Sequence, residues 1–387
     1  GRKQPQRAPL GSMSNLSPTA FSRSECAGFD RAKAQLLRSQ QVGYVDPMNP
    51  ILKSLGWIPA FADQVDLIDE DHPVRVTAVH RSRLDGLSAQ GPISLSPVAS
   101  AGMYAVGDWV IATGHAASEP LERATEITRR AAGEDSKPQL IAANVDTLGI
   151  VTSCNADFNV ARLERYLAMC AASGCLPLVI LTKADTSDDP DRYVRQAQKL
   201  SPLLTAIAIN ATDVEDVARL TPWCGPGQTL ALVGSSGVGK TTIQNRLTDV
   251  IDTTQDIRSD DSKGRHTTTN RNLRAARAGG WLIDTPGMRE LRLVDATEGV
   301  DEVFGDITEL ATLCKFNDCA HQTEPGCKVR AAIDAADLEA DRVERWRKLE
   351  KENRFNTATV GENRGYLKRL QKMYDDGQAR GKAKRKF

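Results

Sequence analysis

The chain has 387 residues, 40% of them hydrophobic, which supplies two or three domains with substantial cores. Its 50 Lys and Arg balance 50 Asp and Glu to a formal net charge of zero at pH 7, excluding a surface coated uniformly in positive potential but not local basic patches. With no secretory leader pattern, no long apolar span and no disulfide-like cysteine framework, the sequence is expected to be that of a cytoplasmic protein with reduced thiols.

Residues 1–12 precede Met13, and Gly11-Ser12-Met13 reads as a junction left by expression cloning, so this segment is set aside. Residues 13–62 form an N-terminal extension with a helical pattern at 31–37 and an apolar patch at 52–57. Residues 63–132 change character: runs at 73–79, 93–98, 108–112 and 124–129 are short and strand-like, separated by glycine, serine and charged turns. This spacing predicts a compact β-barrel module. The barrel is open to two readings, nucleic-acid binder or packing partner, because Tyr104 and Trp109 belong to no repeated aromatic and basic pattern.

Residues 138–298 alternate strand-like and helix-like segments, the pattern of a mostly parallel sheet with ligand loops at its carboxyl edge. The run 147–151 precedes a helical pattern at 160–172, and the run 178–181 leads into Thr182-Lys183-Ala184-Asp185. There the Asp185 carboxylate can accept from guanine N1 and N2 while the Lys183 stem covers the base. Adenine lacks those donors and would leave a carboxylate unpaired. Thr182 stands where asparagine is more usual and offers a hydroxyl alone. The run 205–209 ends at Asn210-Ala211-Thr212, where the Ala211 N–H is placed for guanine O6. Taken alone, Thr-Lys-x-Asp is equally a strand-end loop with no ligand.

The run 229–233 leads into Gly234, Ser235, Ser236, Gly237, Val238, Gly239, Lys240 and Thr241, the full Gly-x-x-x-x-Gly-Lys-Thr pattern, followed by Thr242. Its glycines let backbone N–H groups curl around phosphate oxygens at a helix N-terminus. Lys240 then reaches the β- and γ-phosphates, and Thr241 offers its hydroxyl to magnesium. A polar stretch at 256–274 contains Gly264-Arg265-His266-Thr267-Thr268-Thr269, in which Thr268 is the first choice for a further magnesium ligand. His266 is a candidate for placing the attacking water, since Met288 has no polar group to do so; a surface histidine without that role is the alternative. The run 279–283 ends at Asp284-Thr285-Pro286-Gly287, which puts Asp284 at magnesium and the Gly287 N–H at the γ-phosphate. In an ordinary small GTPase the base-reading loop comes last. Here it precedes the phosphate loop, so the switch segments run on into new chain.

That new chain, residues 299–360, carries Cys314, Cys319, His321 and Cys327 at spacings that no regular coil places on one face. Three thiolates and an imidazole fit one tetrahedral zinc with no open position, a structural site, and Pro325-Gly326 suit the turn before Cys327. Cys26, Cys154, Cys170, Cys175 and Cys224 lack such spacing and read as buried or idle thiols. Residues 337–350 fit a charged helix with an apolar stripe through Leu338, Trp346 and Leu349. Residues 361–387 read as a C-terminal helix and a basic tail holding Arg380, Lys382, Lys384, Arg385 and Lys386, suited either to phosphate contacts or to solvated disorder.

The permuted motif order, the 264–269 segment, Asp284-Thr285-Pro286-Gly287 and the Cys314/Cys319/His321/Cys327 set resemble the RsgA/YjeQ family of circularly permuted GTPases that depend on the small ribosomal subunit. The resemblance runs from about 63 to 349; Val106-Gly107-Asp108-Trp109-Val110 resembles the family's OB-fold and Ala142-Ala143-Asn144-Val145-Asp146 the start of its GTPase domain. It implies an N-terminal OB-fold β-barrel (63–132), a circularly permuted α/β P-loop GTPase domain (138–298) and a C-terminal helical zinc-binding domain (299–360). The implied function is hydrolysis of GTP to GDP and phosphate, stimulated by the small ribosomal subunit, in late maturation of that subunit. An RNA-binding scaffold with weak nucleotide binding, or a permuted GTPase of another RNA assembly, are the alternatives. The implied cofactors are one structural Zn2+ and Mg2+ with GTP. The implied partners are the small subunit and its rRNA, for a monomer away from membranes. Carried over residue by residue, Lys240 and Thr241 meet phosphate and magnesium, Lys183 and Asp185 meet guanine, and His266 to Thr269 form the first switch. Departures are Thr182 for asparagine, Asn210 where serine is common, and the long N-terminal extension.

Overall fold

The computed structural model describes residues 49–67, 71–130, 138–201, 204–249, 271–284 and 296–357. Strands β1 (Asp71–Val79), β2 (Leu84–Ser88), β3 (Gly91–Pro97), β4 (Trp109–Thr113) and β5 (Ala116–Ala117) close a barrel in the order β1-β2-β3-β5-β4. Its interior holds Val74, Val76, Leu84, Leu95, Val110, Ala112 and Ala117, drawn from all five strands, together with Tyr104 from the connection before β4. A register shift between Val76 and Ala78 bends β1, as closure of so few strands requires.

The run 124–129, read as a barrel strand, is β6 (Glu126–Arg130), antiparallel to β7 (Pro138–Ala143) in a separate two-stranded sheet. The physical reason lies in β5, which pairs parallel to β3 and antiparallel to β4 and so leaves no barrel edge for another strand. Conversely β2, with Gly86 at its centre and Asp85 and Ser88 beside it, carries little apolar signal yet is a full barrel strand.

Strands β8 (Thr147–Ser153), β9 (Leu176–Thr182), β10 (Thr205–Ala208), β11 (Thr229–Gly234), β12 (Leu273–Ala275) and β13 (Trp281–Asp284) form a second sheet ordered β10-β9-β8-β11-β13-β12. All its neighbours are parallel except β12, which runs antiparallel to β13 at the edge. Every residue of β8 and β11 is buried, the continuous pattern of parallel strands covered on both faces. The helix Val160–Ala172 links β8 to β9; the Asn159 side chain caps it by accepting from the Arg162 N–H. The helices Thr297–Val303, Gly305–Thr312, Lys328–Asp334 and Ala340–Thr357 follow β13 in the chain. The charged helix expected from residue 337 starts at Ala340 because Ala336 takes a left-handed turn (φ 62°) that ends the preceding helix. Trp346 and Leu349 are buried on this helix as the apolar stripe requires, while Leu338 is buried in the turn before it. Among the described residues no helix is long and apolar enough to cross a membrane.

Barrel and sheet are joined by a buried arginine. Arg75, on β1, donates to the Leu55 carbonyl, to the Asn144 carbonyl (3.1 Å) and to the Thr229 hydroxyl (2.7 Å) at the start of β11. Burial pulls its pKa down to about 10, against the opposing pull of Asp146. Asp146 in turn accepts from the Thr229 N–H at 2.7 Å. The Trp109 ring centroid lies 5.9 Å from the guanidinium carbon, and Trp57, from the apolar patch of the N-terminal extension, and Phe61 pack against that ring. The Trp281 indole N–H donates to the Ser54 carbonyl (2.8 Å), so the turn after residue 50 is fastened to both modules. Replacing the guanidinium strands several buried acceptors. Thermal denaturation of Arg75→Met should show a loss of about 3 kcal/mol. Arg75→Lys should recover little of it, since one ammonium cannot serve three separated acceptors.

Candidate functional site

The parallel pairing sets the ends of β8, β9, β10, β11 and β13 along one edge, and the 182–185, 210–212 and 234–241 motifs lie where the chain leaves β9, β10 and β11. Gly234 ends β11 opposite Val151 of β8. Its φ is 140°, and a Cβ there would stand 2.1 Å from the Val151 carbonyl oxygen, so no other residue fits. Gly237 (φ 76°) and Gly239 (φ 98°) take left-handed conformations as the loop turns into the helix Lys240–Leu247. Ser236 and Gly237 are exposed, while Val238 is buried beneath them. The Lys240 ammonium folds into the curve of the loop and donates to the carbonyls of Gly234 (2.7 Å) and Ser235. Thr241 and Thr242 are half-buried in the first turn of the helix. Left-handed glycines, a helix start and a cation thus come together in one curved loop, features that suit an anion.

Thr182 lies fully buried between this loop and β8. Its hydroxyl stands 2.6 Å from the Val238 carbonyl and 3.1 Å from that of Thr152. Having one proton, it donates at the shorter contact and so braces the phosphate loop from below. The residue thus occupies a bracing position between the phosphate loop and β8. Lys183 follows in a left-handed conformation (φ 57°), a strained geometry for a non-glycine residue that turns the chain out toward the exposed Asp185. Burial first, and the Asp185 charge second, push the nearby Cys154 thiol up to about 11.

The second loop of this edge is tied to the first by the Ala184 N–H donating to the Ile209 carbonyl at 3.3 Å. The Asn210 side chain is engaged locally, accepting from the Thr212 N–H (3.0 Å) and hydroxyl (2.7 Å) in a tight turn that presents Ala211. The Asn210 N–H donates to Asp216 at 2.7 Å, and that bond, with Arg219, holds the Asp216 carboxyl below its ordinary range. A Cβ at Gly239 would lie within 3.7 Å of both Thr182 and Ala211, so all three loops meet at this point. Asp284 ends β13 in register with Leu232. His266, Thr268 and Gly287 lie outside the described residues.

One residue of this edge escaped the sequence reading. Arg162, in the first turn of the helix after β8, donates to the Ser235 hydroxyl and pairs with Asp157 at 2.8 Å. A cation at a helix N-terminus opposes the helix dipole by roughly 0.3–1 kcal/mol, so it needs compensation there. The available signal was Asp157, placed five residues upstream to supply it.

Cys314, Cys319, His321 and Cys327 place their ligand atoms within 4.8 Å of one another. The Cys314 and Cys327 sulfurs are 3.9 Å apart, and His321 Nδ1 lies 3.5 Å from each. Tetrahedral coordination at metal–sulfur bonds of about 2.3 Å puts sulfurs roughly 3.8 Å apart, so the set fits a structural metal. The Lys328 N–H donates to Cys314 Sγ (3.3 Å) and the Arg330 N–H to Cys327 Sγ (3.4 Å), bonds that favour thiolates. Burial, and then the Arg347 charge, hold His321 below the ordinary imidazole range, in the neutral form that binds metal. Glu324 accepts N–H bonds from Gln322 (2.8 Å), Thr323 (2.9 Å) and Ala320 (3.1 Å), rigidifying the loop between the ligands. Cys154, Cys170, Cys175 and Cys224 are buried free thiols; Cys26 lies outside the described residues.

A family model described as RsgA GTPase matches residues 120–294. A Mesorhizobium japonicum protein, named small ribosomal subunit biogenesis GTPase RsgA, is 50% identical over 330 residues, covering 83% of this chain and 95% of its own length. Small ribosomal subunit biogenesis GTPase RsgA 2 of Vibrio parahaemolyticus is 46% identical over 333 residues, 85% of this chain and 93% of its own. Among solved structures, YjeQ from Thermotoga maritima aligns with a TM-score of 0.52 at 21% identity, covering 73% of this chain and 98% of that one. YloQ, a circularly permuted GTPase, gives 0.52 at 20% identity over 76% and 100%. At such identities the two structures speak for the fold alone.

The buried hydroxyl of Thr182 supports a direct test of the bracing contact. Thr182→Val keeps the shape and removes the donor, and should cost about 1 kcal/mol in thermal denaturation. Hydrogen exchange at the backbone of the phosphate loop should quicken in the same variant.

Proposed function

This chain belongs to the RsgA family of circularly permuted GTPases, and from that membership we propose that it cleaves GTP to GDP and phosphate on the small ribosomal subunit, as a late maturation factor in the cytoplasm. The observation that carries this reading is the meeting of the three loops at Gly239, where the 182–185 loop braces the phosphate loop through Thr182. Base and phosphate recognition are thereby held in one rigid unit.

In this reading the N–H groups of 234–239 and the Lys240 ammonium grip the β- and γ-phosphates, while Asp185, the Lys183 stem and the Ala211 N–H select guanine. Thr241, Thr268 and Asp284 hold magnesium, which when bound neutralises charge on the phosphate oxygens. The Gly287 N–H marks the γ-phosphate. His266 orients the attacking water, a task for which Met288 has no polar group. The water oxygen bonds to the γ-phosphorus as the bond to the β–γ bridging oxygen breaks, GDP keeping that electron pair and the water's proton passing to a phosphate oxygen. Release of the phosphate frees the loops it had ordered. The four ligands Cys314, Cys319, His321 and Cys327 hold a structural zinc, and the module built on it faces rRNA together with the barrel.

GTP turnover by the purified chain should rise strongly on adding small ribosomal subunits. No rise at any subunit or salt concentration would sink the ribosome reading. Lys240→Ala should abolish turnover in both conditions, by at least about a hundredfold. Metal analysis should find one zinc per chain. Its removal by a chelator, or by Cys314→Ser, should lower the melting temperature of the C-terminal module and weaken subunit stimulation more than basal turnover.

A further inference from the structure

The Val160–Ala172 helix touches two parts of the molecule with opposite faces. In its first turn Arg162 holds Ser235, where the phosphate loop begins its curve, and is itself held by Asp157. Two residues further on, and so on the other side of the helix, Glu164 is 1% exposed. It is gripped by Arg345 at 2.7 Å and Arg342 at 3.2 Å, both from the C-terminal helix Ala340–Thr357. Next to it Arg165 pairs with Glu352 of that same helix.

This second contact is of the kind that resists rearrangement. Surface ion pairs are screened and loose, but the Glu164 carboxylate is buried, and moving away from both arginines would strand its charge. Arg342 is fixed further by Asp306 (2.8 Å), by the Val303 carbonyl (2.9 Å) and by the Phe304 ring, whose centroid is 4.9 Å from its guanidinium carbon. Asn353 of the C-terminal helix accepts from the Ala296 N–H (3.0 Å) and donates to the Thr297 hydroxyl (2.9 Å). The helix Thr297–Val303 lies so close to Val160–Ala172 that a Cβ on Gly299 would stand 2.0 Å from the Ala168 carbonyl. These three helices are therefore joined by close packing, buried ion pairs and hydrogen bonds into one packed unit. The Arg162–Ser235 contact is where that unit meets the phosphate loop.

We propose that Arg162 is a positioning residue for GTP hydrolysis: it sets the start of the phosphate loop through Ser235, and the C-terminal helix controls its placement through Glu164, Arg345 and Arg342. Arg162 is distinct from the phosphate-gripping and guanine-selecting residues, since its partners are a loop hydroxyl and a carboxylate of its own approach turn. A shift of the Cys/His module then reaches the phosphate loop as a tilt of one helix, without passing through the switch segments. The idea rests on the chain hydrolysing GTP and is independent of which assembly stimulates it.

A double-mutant cycle on basal turnover of the full isolated chain tests this. Arg162→Met should lower kcat about tenfold while KM changes less than about twofold, the signature of lost alignment and not of lost binding. Ser235→Ala, which leaves the Arg162–Asp157 pair in place, should give the same split and carries the test if Arg162→Met folds poorly. Arg345→Met, which removes a partner of Glu164, should lower kcat several-fold in the wild-type chain and hardly at all in the Ser235→Ala chain. Equal effects of Arg345→Met in both chains, or an unchanged kcat for Ser235→Ala, would overturn the proposal. Melting temperatures separate these outcomes from general destabilisation. Failure of the cycle leaves small-subunit stimulation standing, and absent stimulation leaves the cycle standing.

Discussion

The close parallel pairing of β8 with β11 is the constraint on which the rest of the molecule depends. At one end of the pair, Asp146 accepts from the Thr229 N–H and Arg75 reaches the Thr229 hydroxyl, so the barrel is bolted to the upstream edge of the sheet. At the other end the strands approach until Val151 tolerates no side chain on Gly234, and the phosphate loop has to start its turn there. A parallel pair fully buried on both faces cannot slip in register without exposing apolar side chains and unpairing backbone groups. The junction with the barrel and the start of the loop are therefore held at a fixed separation by two strands that cannot slide. What binds at one edge is rigidly related to what packs at the other.

The parts of this arrangement legible in the sequence are those whose chemistry is local. The glycine pattern of 234–241 encodes its own left-handed turns, and Cys314, Cys319, His321 and Cys327 come together within one short stretch of chain. The strands of the second sheet are legible because double burial writes continuous apolar runs. What stayed hidden depends on partners far away in the chain. Arg75 looks like an outward residue of a barrel strand until Thr229 and Asn144 are seen around it. Arg162 looks like an ordinary helix-surface charge until Ser235 lies beside it. The strand 126–130 has the right composition for the barrel, and what excludes it is a two-residue strand, β5, too short to carry a periodic signal. Thr182 was legible as a departure from the usual asparagine, but what the substitution does depends on the Val238 carbonyl above it.

Thr182 also shows how a permuted chain keeps its loops together. The 182–185 loop and the phosphate loop are separated in sequence, and the connection between them runs through β10 and β11. Chain continuity does little to fix one loop against the other. A buried hydroxyl donating across the gap, with Ala184 bonded to Ile209 on the far side, does so directly. A hydroxyl makes fewer bonds than an amide, so the burden shifts to packing, and the close approach of Thr182 and Ala211 to Gly239 carries it.

The same permutation changes what the Cys/His module can transmit. It follows β13 in the chain, and a covalent tether at one point can pull on the sheet but cannot turn it, because a single attachment leaves rotation free. The C-terminal helix adds a second attachment, to Glu164 and Arg165 on the helix after β8. Two attachments at separate places on a body define an axis, and a load on the module then becomes a torque on that helix. The first turn of the helix, with Arg162 against Ser235, is the end of the lever. An ordinary GTPase order, with the base-reading strand last in the chain, would put the base pocket where this module is attached. Placing β8 to β10 before the phosphate loop frees the chain after β13 to return to the β8 helix, and that return closes a mechanical circuit around the nucleotide site.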